Sequence, residues 1–575
     1  MWEKTREGEI GVTATFPKRV HLYHFWLHLN LRQGQRDTMS HNLLPGAIYT
    51  PKDDTNGGSL KGGGVGESMC SSSATGTHFC GIVDCKQATT TIDMLPDDVI
   101  LQIFDFRRMD HDPNVGDPPR LVWKWHRLAQ VCQRWRQIVF ASPRRLDIQI
   151  YCTYGTPVRE ILACWPTLPV VVDYWFLSHS KGSAIVGGRL DDWYDTLEAL
   201  KHPDRVCSFR RIVQDSLLEE MAKVVENPFP VLESFTLHLR PGHQPLPDAF
   251  LGGHTPRLRQ VILIACPLPT FPRFLQSAKD LVKLRLLNIP ENWSISAGMM
   301  VAGLAELTKL ESLRISFDAS LEQQISHPDQ RLAVPLTRIA LPSLIRFLFS
   351  GARVYMEEFL AQLETPRLTD LTISFFSLEL VVQVPELLQF IHRTKYLKLA
   401  EFRRARISFD DIVTNINFDC SQAEPRPCNL DLAIRRHFIR WQCPTMIQIR
   451  SQFLSQFSHI ISHVRDLLII TGGRSWKPDT DGDPTEWLAF FRSFTVLETL
   501  RTSGPLSEIV VAALEDYTED MVAKVLPALQ LLNLQGHQLT PGALEKFIAV
   551  RELSGRPVTV DNRQRPEMLP KGSSP

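Results

Sequence analysis

Apolar residues recur along the second half of this chain with a fixed internal spacing: one position, a second three residues later and a third five residues after the first. The clear copies are Leu232/Phe235/Leu237, Leu258/Val261/Leu263, Leu281/Leu284/Leu286, Leu310/Leu313/Ile315, Leu344/Phe347/Phe349 and Leu368/Leu371/Ile373. Positions two apart point to one face of a strand, so each copy predicts a short strand with one buried face. Weaker copies stand at Tyr396/Leu397/Leu399, Val464/Leu467/Ile469 and Leu497/Leu500, and a good one at Leu529/Leu532/Leu534. The first positions from Leu232 to Leu368 lie 26, 23, 29, 34 and 24 residues apart. Helical stretches fall between them, at 297–307, 356–363, 385–392, 485–494 and 506–523. One strand and one helix per unit predicts an α/β solenoid, right-handed, with parallel strands on the concave side and helices on the convex side. A helix at 541–553 and a strand at 558–560 would cap it. Nearer the N-terminus, strand-like runs at 146–151 and 168–174 bracket a helix at 158–164.

A second pattern, of helical period, precedes the repeats. Pro96 suits a first helical position and Asp97 and Asp98 favour the positive end of the helix dipole. Val99, Ile100, Ile103 and Phe104 then share one face. A further helix over 121–140 carries Trp125, Leu128, Cys132, Trp135 and Val139 as a continuous stripe, widened by Val131 and Ile138. About 45 residues bury only a modest core, so the surplus apolar surface calls for a partner or for docking onto the rest of the chain. Spacing alone favours a packed core.

Order and identity carry the inference further. Leu95-Pro96, then Ile103-Phe104, then Val131-Cys132-x-x-Trp135-Arg136 resembles the F-box. The continuation Phe140-Ala141-Ser142-Pro143-Arg144-Arg145-Leu146, Cys152-Thr153 and Thr156-Pro157-Val158-Arg159, with Trp165-Pro166 and Leu168-Pro169, resembles the F-box proteins abundant in mushroom-forming fungi. That resemblance implies a module binding the Skp-type adaptor of a cullin-RING ubiquitin ligase, with the remainder of the chain capturing the protein to be ubiquitinated. It further implies an adaptor interface lined by Leu95, Pro96, Ile100, Ile103, Phe104, Leu128, Val131, Cys132 and Trp135. The chain departs from the common pattern in a polar insertion at 107–120, containing Pro113, Gly116, Pro118 and Pro119. The strand copies resemble the L-x-x-L-x-L of leucine-rich repeats, but no asparagine recurs where regular repeats use one to bond the turn backbone. Irregular units of uneven length are expected. The expected organisation is a mostly disordered region over 1–90, a small all-helical F-box over 91–145, the leucine-rich-repeat-like solenoid over 146–560 and a loose tail over 561–575.

Composition narrows the function classes. The chain has 575 residues, 43% of them hydrophobic, enough for two or three structural regions. Lysine plus arginine equals aspartate plus glutamate at 63 each, which disfavours nucleic acid or an anionic membrane as a general partner. No apolar run reaches 18 residues, the Val20–Leu29 patch included, and no secretory signal is evident. The eleven cysteines are scattered, so reduced thiols and a cytoplasmic or nuclear location are expected. Cys70, His78, Cys80 and Cys85 lack Cys-x-x-Cys spacing and sit in a Gly/Ser/Thr-rich stretch, so no metal is expected there.

The glycine run 62–66 lacks the Lys-Ser/Thr of a phosphate loop. Asp479, Asp481 and Asp483 meet Pro484 where a calcium loop needs glycine, and Asn292-Trp293-Ser294 reads as an ordinary loop. No nucleophile–base pairing emerges, so neither a cofactor nor catalysis is expected. Outward positions of the strands include Ser234, Thr236, His238, Gln260, Ile262, Ile264, Ser312, Ser316, Leu348, Asp370 and Thr372. Among them Lys283, Arg285, Arg314 and Arg346 are the candidate client-binding residues, suited to an acidic patch. The reading is a ligase substrate receptor binding an unknown client; the alternative is an interaction scaffold outside any ligase, and an enzyme on a degenerate repeat array stands far behind both.

Overall fold

The computed structural model describes residues 92–109, 128–129, 131–142, 145–146, 148–153, 157–165, 167–174, 190–240, 245–290, 295–318, 338–376, 383–409, 413–420, 428–435, 452–471, 484–535 and 542–561. The glycine-rich N-terminal region with its Cys/His cluster, residues 110–127, residues 292–294, the acidic run 479–483 and the tail after 561 lie outside them. Backbone contacts separate residues 1–89 from 90–575, and every described residue belongs to the second unit.

After a 3-10 turn at Ile92–Met94, helix α1 spans Asp97–Met109, with Asp97 and Asp98 in its first turn. The Pro96 carbonyl accepts from the Val99 and Ile100 N–H groups, both at 3.1 Å. The helix runs past residue 107, so the polar insertion starts later than the sequence suggests. Helix α2 spans Gln133–Ala141. It does not continue the helical turn at 128–129, because Cys132 is extended (φ −154°) and its Sγ accepts the Trp135 N–H at 3.4 Å. The stripe expected on one unbroken helix is therefore divided by a cap that satisfies an orphan donor of α2.

The strands are β1 Ile150–Cys152, β2 Val170–Asp173, β3 Val206–Val213, β4 Ser234–Leu239, β5 Gln260–Ile264, β6 Lys283–Ile289, β7 Ser312–Phe317, β8 Ile339–Ala340 and β9 Arg346–Ala352. They continue as β10 Leu363–Glu364, β11 Asp370–Phe376, β12 Arg404–Phe409, β13 Val413–Asp419, β14 Asn429–Arg435, β15 Asp466–Thr471, β16 Thr499–Ser503, β17 Leu531–Gln535 and β18 Thr559–Asp561. Sixteen of them form one open sheet in the order β1-β2-β3-β4-β5-β6-β7-β9-β11-β14-β13-β12-β15-β16-β17-β18; β8 and β10 pair separately. All neighbours are parallel except β12–β13 and β13–β14. The remaining helices are α3 Val158–Cys164, α4 Leu190–Leu200, α5 Asp215–Val224, α6 Arg273–Gln276, α7 Ala297–Leu304, α8 Arg353–Ala361, α9 Pro385–Arg393, α10 Lys395–Leu399, α11 Ser458–Ile461, α12 Pro484–Phe491, α13 Leu506–Glu515 and α14 Glu545–Leu553. Successive helices pack side by side, as α3 on α4, α7 on α8, α8 on α9 and α12 on α13.

The repeat is realised in the core. All eighteen residues of the six clear copies are at most 1% exposed. Ahead of each strand the first-position residue closes a turn by bonding the carbonyl three back: Leu258 to Thr255, Leu281 to Ala278, Leu310 to Leu307, Leu344 to Leu341. The next carbonyl then accepts two N–H groups of the following unit, as Glu311 accepts from Ile345 and Arg346 at 2.9 and 3.0 Å. Backbone groups thus supply inter-unit bonds without an asparagine ladder.

Two departures from expectation stand out. The weak copy at Tyr396/Leu397/Leu399 is not a strand but α10, with Leu397 buried and Leu399 exposed. The missing strand follows it, as the first of a three-stranded meander. β12 lies three places from β11, and β13 and β14 fold back to fill the space. Only residues 410–412 link β12 to β13, which permits an antiparallel pair but no parallel crossover.

Candidate functional site

Two surfaces answer to the residues singled out above. On the helical module, the nine candidates divide. Ile100 and Phe104 face inward at 0% and 2% exposure, and the Phe104 ring meets Trp135 edge-on with centroids 4.8 Å apart. In this arrangement they hold the helix pair to the core and do not line a surface. Leu95, Leu128, Cys132 and Trp135 are half-buried, while Pro96, Ile103 and Val131 are exposed, Val131 at 60%. Ile92 and Met94, which the periodicity did not single out, are exposed apolar residues in the turn before Pro96; their signal was the apolar Ile92-Asp93-Met94-Leu95 run ahead of the helix.

Arg134 fixes this turn, donating to Asp97 Oδ1 from Nε at 3.0 Å and from Nη2 at 2.6 Å, and to the Leu95 carbonyl. The pair is exposed and adds little stability, but it sets where α1 begins relative to α2. Phe140 stacks on Trp165 at 4.6 Å, joining the module to the first solenoid unit.

The second surface is the sheet face opposite the buried repeat residues. Parallel register aligns its side chains into rows. One row runs Ser234, Gln260, Lys283, Ser312, Arg346, Asp370, Asn429. The next runs Thr236, Ile262, Arg285, Arg314, Leu348, Thr372, Asp431. Of the outward positions expected, Thr236 is buried instead, at 4%.

The register brings the four candidate cations together on β6, β7 and β9. Lys283, Arg285 and Arg314 are half-buried and Arg346 is exposed. Burial, then the neighbouring charges of Arg285 and Arg346, lowers the Lys283 ammonium pKa; burial, then Arg314 and Arg346, lowers that of Arg285. Arg314 Nε is buried with no hydrogen-bond partner among the described residues.

Elsewhere on the same face arginines meet carboxylates, Arg210 with Asp173 at 3.1 Å and Arg501 with Asp466. Beside the cations, β11, β14 and β13 carry acids and amides. Asn429 Nδ2 donates to Asp431 Oδ2 at 3.0 Å, Asn417 Nδ2 donates to Asp431 Oδ1, and Thr372 Oγ1 donates to Asp431 Oδ2 at 3.4 Å. Burial and the Asp431 charge push the Asp370 carboxyl up, against Arg346 and a hydrogen bond from Asn429.

Among the described residues, no helix is long and apolar enough to cross a membrane, and no three His, Cys, Asp or Glu side chains are placed to hold a metal ion. No curated protein matches the chain. The family model described as F-box-like matches residues 92–149, from the turn before α1 to the start of β1. These residues form an F-box-like domain, a module that generally binds Skp-type adaptors in cullin-RING ligases, followed by a repeat-rich α/β region with a long, mostly parallel sheet.

Proposed function

We propose that this protein is the substrate-recognition subunit of a cullin-RING ubiquitin ligase of the Skp-cullin-F-box type. The F-box-like domain docks the adaptor, and the open face of the sheet holds a client protein near the site of ubiquitin transfer. Its contribution is proximity rather than bond chemistry, in the cytoplasm or nucleus. The observation that carries this reading is the F-box-like match over residues 92–149, which falls on helices with exposed apolar residues. Exposed Met94, Pro96, Ile103 and Val131 provide the apolar anchors that a docking surface needs.

The test is capture of purified Skp-type adaptor by the full chain, beside the double variant Ile103→Asp/Val131→Asp. Both side chains are exposed, so the variant should keep the wild-type melting temperature while losing at least about tenfold in adaptor affinity. Trp135→Ala is the poorer probe, because removing Trp135 also takes away the ring packed on Phe104. If wild-type chain captures no adaptor, the ligase reading fails and an interaction scaffold built on the sheet replaces it.

A further inference from the structure

On β6, β7 and β9 the open face gathers charge of one sign, up to the register step where Arg346 meets Asp370. Lys283 and Arg285 on β6, Arg314 on β7 and Arg346 on β9 occupy three adjacent strands, and none of the four has a carboxylate within salt-bridge distance among the described residues. With strands about 4.8 Å apart and same-face residues about 7 Å apart along a strand, the four charges crowd into a patch about 10 Å across. Arg314 Nε has no hydrogen-bond partner among the described residues, and the like charges raise one another's electrostatic energy. An anion placed among them would relieve that repulsion.

The next strands reverse the sign. Asp370 on β11 and Asp419 on β13 flank Asn429 in one row, and Asp431 on β14 lies between Thr372 and Asn417 in the other. Beyond them Arg404 lies between Asp419 and Asp466, and Arg406 beside Asn417 and Leu468. A uniformly anionic polymer would therefore be attracted to one zone and repelled by its neighbour, which argues against a nucleic-acid backbone here. An extended polypeptide of mixed charge meets no such conflict. From Arg314 to Asp431 the register counts three strand steps, through Leu348 and Thr372. That is about 14 Å, the length of about four residues of extended chain.

We propose that this face seats an extended client segment whose anionic side chain, a carboxylate or a phosphate monoester, sits among Lys283, Arg285, Arg314 and Arg346, with a basic side chain about four residues away opposite Asp431. Ile262 and Leu348, half-buried beside the two arginines in the same row, contact the apolar residues between and before the charges. Rim charge of this kind selects partners and their register more than it adds affinity. The inference names the client chemistry of the open face proposed above and rests on that reading only for the word client.

The test is fluorescence anisotropy of the full chain with labelled Gly/Ser peptides. Each carries a phosphoserine or an aspartate paired with a lysine about four residues away, in either order, beside peptides with two phosphoserines or two lysines at the same spacing. A mixed-charge peptide should bind at least about tenfold tighter than either like-charge peptide, with the difference shrinking as salt is raised. The stronger of the phosphoserine and aspartate forms identifies the anion.

Arg285→Gln/Arg314→Gln should abolish the preference, and Arg285→Glu/Arg314→Glu should shift it to the two-lysine peptide; Thr499→Ala, on β16 and outside the proposed seat, should change nothing. Equal binding of mixed and two-phosphoserine peptides, or a ranking indifferent to these substitutions, overturns the proposal. Adaptor capture on the same preparations keeps the two readings apart. A chain that captures adaptor but does not rank the peptides sinks this inference alone, while one that ranks them without capturing adaptor supports it and sinks the ligase reading.

Discussion

Arg211 shows how a single side chain can hide a repeat. Val206, Phe209 and Arg211 occupy the three positions filled elsewhere by apolar residues, and all three are buried. The guanidinium lies 4.5 Å from the Tyr174 ring centre and 5.1 Å from that of Trp193, and Nη1 donates to the Asp192 carbonyl at 3.0 Å and to Thr196 Oγ1. A search for apolar positions therefore passes over β3, although the residue fills the same slot. If volume and ring stacking are what hold the site, Arg211→Leu should stay within about 1 kcal/mol of wild type, whereas Arg211→Ala should lose about 3 kcal/mol. Urea unfolding followed by circular dichroism would check this; equal losses would assign the stability to the hydrogen bonds. The same limit of pattern reading affects the adaptor candidates. Periodicity identifies the face shared by Ile100, Ile103 and Phe104, but not which of them the rest of the chain covers. That depends on Trp135 and on the neighbouring unit, which lie far off in sequence.

Elements with strict periodicity were readable in advance, and those defined by a neighbour were not. Helix α3 falls on the expected 158–164, and the six clear copies each end in a strand of the sheet. Tyr396, Leu397 and Leu399 mimic the strand spacing, but Thr394 is extended (φ −80°, ψ 110°), ends α9, and starts a new helical turn in which its carbonyl accepts the Lys398 N–H at 2.9 Å. The meander strands Arg404–Phe409, Val413–Asp419 and Asn429–Arg435 alternate buried and open positions plainly, without the three-then-two spacing that marks the repeat. Close packing between elements is equally invisible to pattern. Gly303 in α7 would place an added Cβ 2.2 Å from Phe271 Cγ, so the helix can approach the preceding loop only without a side chain. Gly303→Ala, favourable for an isolated helix, should instead lower stability by about 1–3 kcal/mol. A double-mutant cycle with Phe271→Leu should recover most of that loss, and additivity would refute the contact as its cause.

Across the chain, one apolar core runs from Ile100 through every parallel unit to Val558. The helical module is part of it, through Ile148 and the Phe140–Trp165 stack. A fragment of residues 92–149 should therefore show much weaker helical circular dichroism than its share of the full chain, because so short a piece cannot bury its own apolar face; full helicity of the fragment would mean the module folds independently. Solenoid architecture was foreseeable because the repeat is local, while the sorting of charge on the open face needed the register, which no single strand reveals. The meander adds a constraint on how the molecule is built. Units up to β11 can be laid down one upon the last as the chain emerges, but β12 belongs about 14 Å from β11, with nothing yet between them. Its natural first partner is β13, then β14, through local hairpin pairing that forms in microseconds. In the finished sheet the three strands form one block that pairs with β11 by its β14 edge and with β15 by its β12 edge. Chain order and sheet order therefore run together up to β11, reverse through this block and run together again from β15.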